Sequence, residues 1–227
     1  MYRQQRLTPL TKSGDTMVPS NPLPNPKKVK GVDPTFDYKS YWEERYKRGR
    51  NSGAGSYGKN AHFKSDMIKR TIEENNIKSI VDFGCGDGNQ ISFLPSNIKY
   101  FGYDISQTAI DLCNKQYSGR PHWSFGTYDP MTYTYETMAD MSMACDILFH
   151  VTIEDEWLKT IDCICRSATK IVVLITNAES IREEYFPHVN YKRRILPVLD
   201  AREDVLIDEV VTQPTDRESS VIILRKV

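Results

Sequence analysis

The stretch Ile80-Val81-Asp82-Phe83-Gly84-Cys85-Gly86-Asp87-Gly88-Asn89 constrains the chain more than any other. Its first half is a short apolar run of the kind that forms a buried strand, and its second half is a turn in which every other residue is glycine. Gly84, Gly86 and Gly88 permit positive φ and let a ligand approach the backbone, and a helix expected from Asn89 would offer free N–H groups at its start. Such a turn can hold a nucleoside. Spacing decides which kind: a dinucleotide fingerprint needs G-x-G-x-x-G, and here the third glycine comes one residue early, with Asn89 in its place. A second apolar run, Tyr100-Phe101-Gly102-Tyr103-Asp104, ends in a carboxylate about 20 residues beyond the turn, where it would meet the paired hydroxyls of a ribose. Both features point to an adenosine-like ligand.

Asp82-x-Gly84-x-Gly86-x-Gly88 together with Asp104 resembles the first two motifs of the class I S-adenosylmethionine-dependent methyltransferases. The resemblance implies an α/β fold with a doubly wound, seven-stranded, mostly parallel sheet closed by a terminal antiparallel strand pair. It implies S-adenosylmethionine as cofactor, with its methionine moiety beside Gly84, Cys85, Gly86 and Gly88, Asp82 near its amino group, and Asp104 with Ile105 at its ribose. In the same resemblance an acid after the third strand meets the adenine amino group. Asp129 is the candidate, and an ordinary Asp-Pro turn is the alternative. Trp42-x-x-Arg45-Tyr46, followed by Ser52-Gly53-Ala54-Gly55-Ser56 and Phe63-Lys64, is similar to the leading segment of a subset of these enzymes that folds over the cofactor. There Arg45 would pair with the ligand's carboxylate while aromatic and Ser/Gly groups exclude water. The plainer reading is an exposed arginine followed by an idle linker.

At 227 residues the chain can bury one good core, so a single domain with an extension is expected. Residues 1–34 hold six prolines with Lys27, Lys28 and Lys30 and few large apolar groups, which reads as an extended basic arm. The methyltransferase-like domain then spans 35–227, with a helical cap over 35–75. Residues 1–70 carry 15 Lys/Arg against 6 Asp/Glu, and the remainder 15 against 24. That asymmetry suits either an anionic partner such as nucleic acid, or charge that pairs with the chain's own body. No apolar run is long enough for a membrane span or a signal core, which leads to the expectation of a soluble, cytoplasmic protein without membrane partners. The five cysteines lack CxxC spacing or a Cys/His cluster, so neither a disulfide framework nor a metal site is expected.

Aromatics at 38, 41, 42 and 46 have helical spacing, a Gly/Ser/Asn-rich loop covers 49–58, and a second helix runs from about Lys59 to Asn75. Ser106 is a fitting N-cap for a helix toward Tyr117. Strands are expected at His122–Phe125, Ala144–His150, Lys170–Thr176, Asp204–Thr212 and Ser219–Arg225, with a helix over 153–165. The Met-rich stretch 131–143 has no clear period. Methyl transfer from a sulfonium needs mainly orientation, with a general base only where the acceptor must lose a proton. His150, at the expected end of the fourth strand, is the candidate base and also counts among the cofactor-contacting residues; the alternative is a histidine that caps the strand or bonds a backbone carbonyl. The tetrapeptides that hold a base or amide nitrogen are missing, as is a Pro-Cys nucleophile. A Lys-Asp-Lys-Glu ribose-methylation set can be assembled from Lys64, Asp146, Lys192 and Glu209, though such residues are frequent. The activity expected is therefore methyl transfer to an unassigned small-molecule, protein or nucleic-acid acceptor. The competing expectation is a catalytically silent protein of this fold that docks through its N-terminal arm.

Overall fold

The structure, a computed structural model, describes residues 36–178, 189–190, 193–214 and 219–227. The expected arm over 1–34 and the candidate Lys192 lie outside the described residues. In chain order the elements are α1 (Tyr38–Lys47), α2 (Gly58–Glu74), β1 (Ser79–Phe83), β2 (Lys99–Asp104), α3 (Gln107–Gln116), β3 (Trp123–Thr127), β4 (Ala139–Cys145), α4 (Glu154–Arg166), β5 (Ala168–Thr176), α5 (Ile195–Asp200), β6 (Val205–Thr212) and β7 (Ser220–Lys226).

The strands form one seven-stranded sheet in the order β3-β2-β1-β4-β5-β7-β6. Strands β1 to β5 pair in parallel, and β7 lies antiparallel between β5 and β6, which is the sheet expected from the sequence. Because strand side chains alternate, Val81 and Phe83 of β1 enter a core layer with Trp157, Ile161 and Ile164 of α4, while Ile80 enters the opposite layer with Ile68 and Ile72 of α2 and Ile110 of α3. Both faces are thus covered by helices, and Ile171 to Thr176 of β5 is buried throughout, as a central strand should be. Helix α4 carries Glu154, Asp155 and Glu156 in its first turn and Arg166 in its last, the charge order that its dipole favours. The chain winds outward from β1 to β3, then crosses back to β4 beside β1, so the loops after β1 and β4 diverge and leave a crevice.

Two elements differ from expectation. The helix expected from Asn89 is a 3-10 turn, Gln90–Phe93. It stops because Leu94 precedes Pro95, whose ring disfavours a helical neighbour, and Leu94 is extended at φ −72° and ψ 149°. The fourth strand is Ala139–Cys145, so the Met-rich stretch supplies most of it, with Met141 and Met143 wholly buried. His150 ends a 3-10 turn, Leu148–His150, five residues past that strand. Among the described residues of the N-terminal third, several basic side chains pair within the fold: Lys39 meets Asp129 and Glu156, Lys64 meets Asp146, and Arg70 meets Glu209. No helix among the described residues is long and apolar enough to cross a membrane.

Helix α1 starts at the N-cap Asp37, whose side chain accepts from Ser40 N, and buries only Tyr38 and Tyr46. Its firmest link to the body is Glu43, which accepts from Ser106 Oγ (2.6 Å), Thr108 Oγ1 (2.8 Å) and Thr108 N (3.2 Å) at the start of α3. The hydrogen bond from Ser106, before all else, holds the Glu43 carboxyl down at about 2. A depressed carboxylate pKa contributes stability above its unfolded value and loses it as pH falls toward the folded value. Glu43→Ala is expected to cost about 1–3 kcal/mol at pH 7 and to make residues 36–58 more sensitive to protease. Thermal melts should show the gap to the parent protein narrowing as pH is lowered from about 5 to 3.

Candidate functional site

The C-terminal ends of β1, β2 and β4 open onto a cavity of about 360 Å3, a volume in the range of small-ligand sites. Strand β1 delivers the glycine turn to its floor. The carbonyl of Tyr103 accepts from the N–H groups of Gly84 (2.6 Å) and Cys85 (2.9 Å), tying the turn to β2. Gly84 and Gly86 lie in the left-handed region at φ +88° and +57°. A Cβ at Gly84 would strike the Ile147 side chain, and one at Gly86 would strike Ser52 Oγ. These glycines therefore make room for other parts of the protein.

The part that reaches Gly86 belongs to a cover formed by α1 and residues 49–58. Ser52 N donates to Asp87 Oδ2 (2.8 Å) and Asp87 N donates back to Ser52 Oγ (3.1 Å). Tyr57 Oη also donates to Asp87 Oδ2 (2.9 Å), and Asn89 Nδ2 donates to Ser56 O (2.6 Å). On the far side, fully buried Lys64 donates to Gly55 O (2.7 Å) and pairs with the Asp146 carboxylate just past β4. The Gly/Ser-rich loop is thus fixed over the glycine turn from two directions.

Of the residues expected to hold a cofactor, Arg45, Asp82, Gly84 and Cys85 line the cavity, and so do Gly86, Asp104, Ile105 and His150. Gly88 and Asp129 do not. Gly88 faces α3, where its carbonyl accepts from Tyr117 Oη (2.6 Å), and Asp129 is ion-paired to Lys39 (2.7 Å). Asp104 accepts from Gly86 N (2.9 Å) and Ser106 N (2.9 Å), and burial pushes its carboxyl up to about 6 against those bonds. Burial likewise pushes Asp82 up to about 7, opposed by the hydrogen bond from Tyr100 Oη (2.6 Å). The Cys85 thiol is raised well above its ordinary value by its hydrogen bond with Cys113 and by burial, so it stays protonated. Arg45 lies over Trp42 at 5.5 Å and donates Nε–H to Asn51 O (2.7 Å), and the Trp42 ring meets His150 at 4.8 Å. In the candidate Lys-Asp-Lys-Glu set, Lys64 and Asp146 pair with each other, while Glu209 of β6 is held by Arg70 of α2.

Sequence reasoning did not assign Asp87 or Gln90 to the site. Asp87 was only the spacer between two glycines, yet a loop rich in backbone N–H and hydroxyl donors, 49–58, needs such an acceptor nearby. Gln90 was hidden by the expectation of a helix starting at Asn89.

Residues 81–173 match a family model described as a methyltransferase domain. Among solved structures, the magnesium protoporphyrin IX methyltransferase of Synechocystis with bound S-adenosylhomocysteine is 15% identical, covering 83% of this chain and 98% of its own, at a TM-score of 0.64. The N-methyltransferase NodS of Bradyrhizobium japonicum, also with S-adenosylhomocysteine, is 14% identical over 84% of this chain and 99% of its own, at 0.67. An S-adenosylmethionine-dependent methyltransferase of Clostridium acetobutylicum is 13% identical over 82% and 97%, at 0.61. No curated protein matches the chain in sequence. Residues 81–173, running from β1 into β5, are therefore similar to a methyltransferase domain, and the chain has the fold of the class I S-adenosylmethionine-dependent methyltransferases.

Proposed function

We propose that the chain binds S-adenosylmethionine in this cavity and transfers its methyl group to an acceptor that enters past Trp42 and His150. The observation that carries this reading is the charge around the glycine turn. Asp82, Asp87, Asp104 and Asp146 line the cavity, and Arg45 is the guanidinium on its wall. The element after the turn is a four-residue 3-10 turn, without the aligned peptide dipoles of a helix N-terminus. A pyrophosphate would be repelled here, whereas a ligand bearing a sulfonium and an ammonium is attracted.

In this reading Asp104 accepts the ribose hydroxyls, Asp82 faces the ammonium, and Arg45 pairs with the ligand's carboxylate. The group supplies an electrophilic methyl when bound. The chain's work is to align the acceptor and exclude water, which the cover over the turn favours. In the same reading His150, whose ring meets Trp42, takes the proton from an acceptor that must lose one.

Calorimetry with S-adenosylmethionine and S-adenosylhomocysteine tests the reading, and failure of both to bind would remove it. Asp104→Ala is expected to weaken either ligand at least about tenfold, through loss of charge-assisted hydrogen bonds. Asp111, exposed on α3 and bonded to Gln107 (2.8 Å), is the control of equal charge, and Asp111→Ala should stay within about twofold. Equal losses in the two variants would place the ligand elsewhere.

The raised carboxyls of Asp82 and Asp104 give a pH signature. A carboxyl whose folded pKa is raised adds most to stability below its unfolded value, and that contribution is lost as pH rises through the folded value, here about 6 to 7. A ligand that needs both groups ionised behaves in the opposite sense. The rise in melting temperature produced by a fixed concentration of S-adenosylhomocysteine is therefore expected to be larger at pH 8 than at pH 5.5, and Asp104→Asn should flatten that difference.

A further inference from the structure

We propose that a cleft on the outer face of α1 docks a single-stranded nucleic acid, one nucleotide of which is the methyl acceptor. The proposal rests on the cofactor reading above and names the acceptor class for it. The cleft has a volume of about 440 Å3, and Phe36, Tyr41, Arg45, Arg48 and Arg50 are among the residues that line it. Tyr41 and Arg45 also line the cavity over the glycine turn. The two spaces thus share a wall, and a polymer lying in the outer one borders the inner one. Tyr41, Arg45 and Arg48 are spaced by four and three residues, which sets them on one face of α1. Past the helix the chain turns back on itself: Gly49, at φ +69°, donates its N–H to Tyr46 O (2.9 Å), and Arg50 N donates to Arg45 O (3.1 Å). This reversal returns Arg50 to the cleft. The helix dipole accounts for basic residues in the last turn, Arg45 and Lys47, but not for Arg50 beyond it.

Charge and rings together select the occupant. Residues 45–65 hold six Lys/Arg and no Asp or Glu. Of the two acids in the cleft, Asp37 is engaged as the N-cap partner of Ser40, and Glu44 meets Arg48 only at 3.7 Å on an exposed surface, where such a pair is worth little. Beside the guanidiniums run aromatic rings: Phe36 and Tyr41 have centroids 5.5 Å apart, Tyr41 and Trp42 also 5.5 Å, and Arg45 lies 5.5 Å over Trp42. Cations that track phosphates, interleaved with rings on which bases stack, are what a single strand requires. A duplex or an acidic peptide would use the charges and offer no free base to the rings. Residues 1–35, which lead into Phe36, carry six Lys/Arg against two Asp/Glu and so bring net positive charge, the wrong sign for this cleft. The two spaces also divide the charge, with carboxylates around the glycine turn and guanidiniums outside, an order that holds phosphates in the cleft and keeps them out of the cavity.

Fluorescence anisotropy on the full chain tests the surface, with short labelled single strands of mixed-sequence RNA and DNA, the matched duplexes, and polyglutamate as probes. A single strand should bind more tightly than its duplex or polyglutamate. Arg48→Ala combined with Arg50→Ala is expected to weaken the strand at least about tenfold and to lower the slope of log affinity against log salt by about 1.4, two phosphate contacts at about 0.7 each. Tyr41→Ala should weaken the strand with the slope unchanged, since stacking releases no counterions. Both arginines are exposed, so the double variant should keep its melting temperature and bind S-adenosylhomocysteine within about twofold of the parent by calorimetry. Lys99→Ala combined with Lys115→Ala removes the same charge at the start of β2 and the end of α3, away from the strand ends that carry the site, and should leave strand affinity within about twofold. No binding of any single strand, equal binding of duplex or polyglutamate, or equal losses in the two double variants would overturn the docking surface while leaving the cofactor reading intact. Failure of the parent protein to bind S-adenosylhomocysteine would instead remove the cofactor reading, and with it the strand's role as acceptor.

Discussion

The reciprocal hydrogen bonds between Ser52 and Asp87 join two parts of the chain that would otherwise only pass one another, the Gly/Ser-rich loop and the turn that closes β1. Each residue offers one donor and one acceptor, so the two backbone N–H groups are satisfied together, much as in a capping box. Once Ser52 is there, the space above Gly86 is filled, and a side chain at 86 is forbidden by the protein itself. The loop in turn positions Gly55 on Lys64, and Lys64 positions Asp146. The cavity's wall is therefore a consequence of this one exchange and the contacts that follow from it.

Electrostatics adds a second constraint. Asp82 and Asp104 are carried into the protein at the ends of neighbouring strands, and burial works against their ionisation. Asp104 is supported by backbone donors from both sides, whereas Asp82 has one hydroxyl partner and one oxygen without a partner among the described residues. An arrangement that is poorly compensated in the isolated chain is well suited to a cationic ligand. This is the sense in which a site sets some stability aside for binding.

The sheet was readable from sequence because its signals are local and repeated: apolar runs bounded by Gly, Pro and Asp, with the Gly84–Gly88 turn and Asp104 fixing the start of the order. The Met-rich fourth strand was missed in part because Met fits helix and strand alike, and only its place between β1 and β5 decides. The helix expected after Asn89 failed because Pro95 limits it, a short-range signal that the glycine pattern outweighed. Of the site, the strand ends Asp82 and Asp104 were legible, since strand ends converge in any doubly wound sheet. Asp129 was not, because its partner Lys39 comes from α1, 90 residues away in sequence. Contacts of the cover depend on such distant pairings, and no window of sequence contains both members.

That long reach also sets how the molecule opens. Helix α1 buries only two of its side chains and is secured by Glu43 on α3, Lys39 and Tyr38 on Glu156, and Phe36 O on Thr152. The sheet beneath it is held by ladders through strands that are largely buried, as at Ile80–Phe83 and Ile171–Thr176. Helix α1 is thus a unit of lower local stability than the sheet beneath it, and its contacts can open without disturbing the ladders. Amide exchange in α1 would then proceed through a sub-global opening, while β1, β4 and β5 exchange only with the whole domain. Since Trp42, Arg45 and Tyr46 of α1 line the cavity, an opening of α1 also uncovers it, and the residence time of a molecule held there would then be set by α1 as well as by the turn.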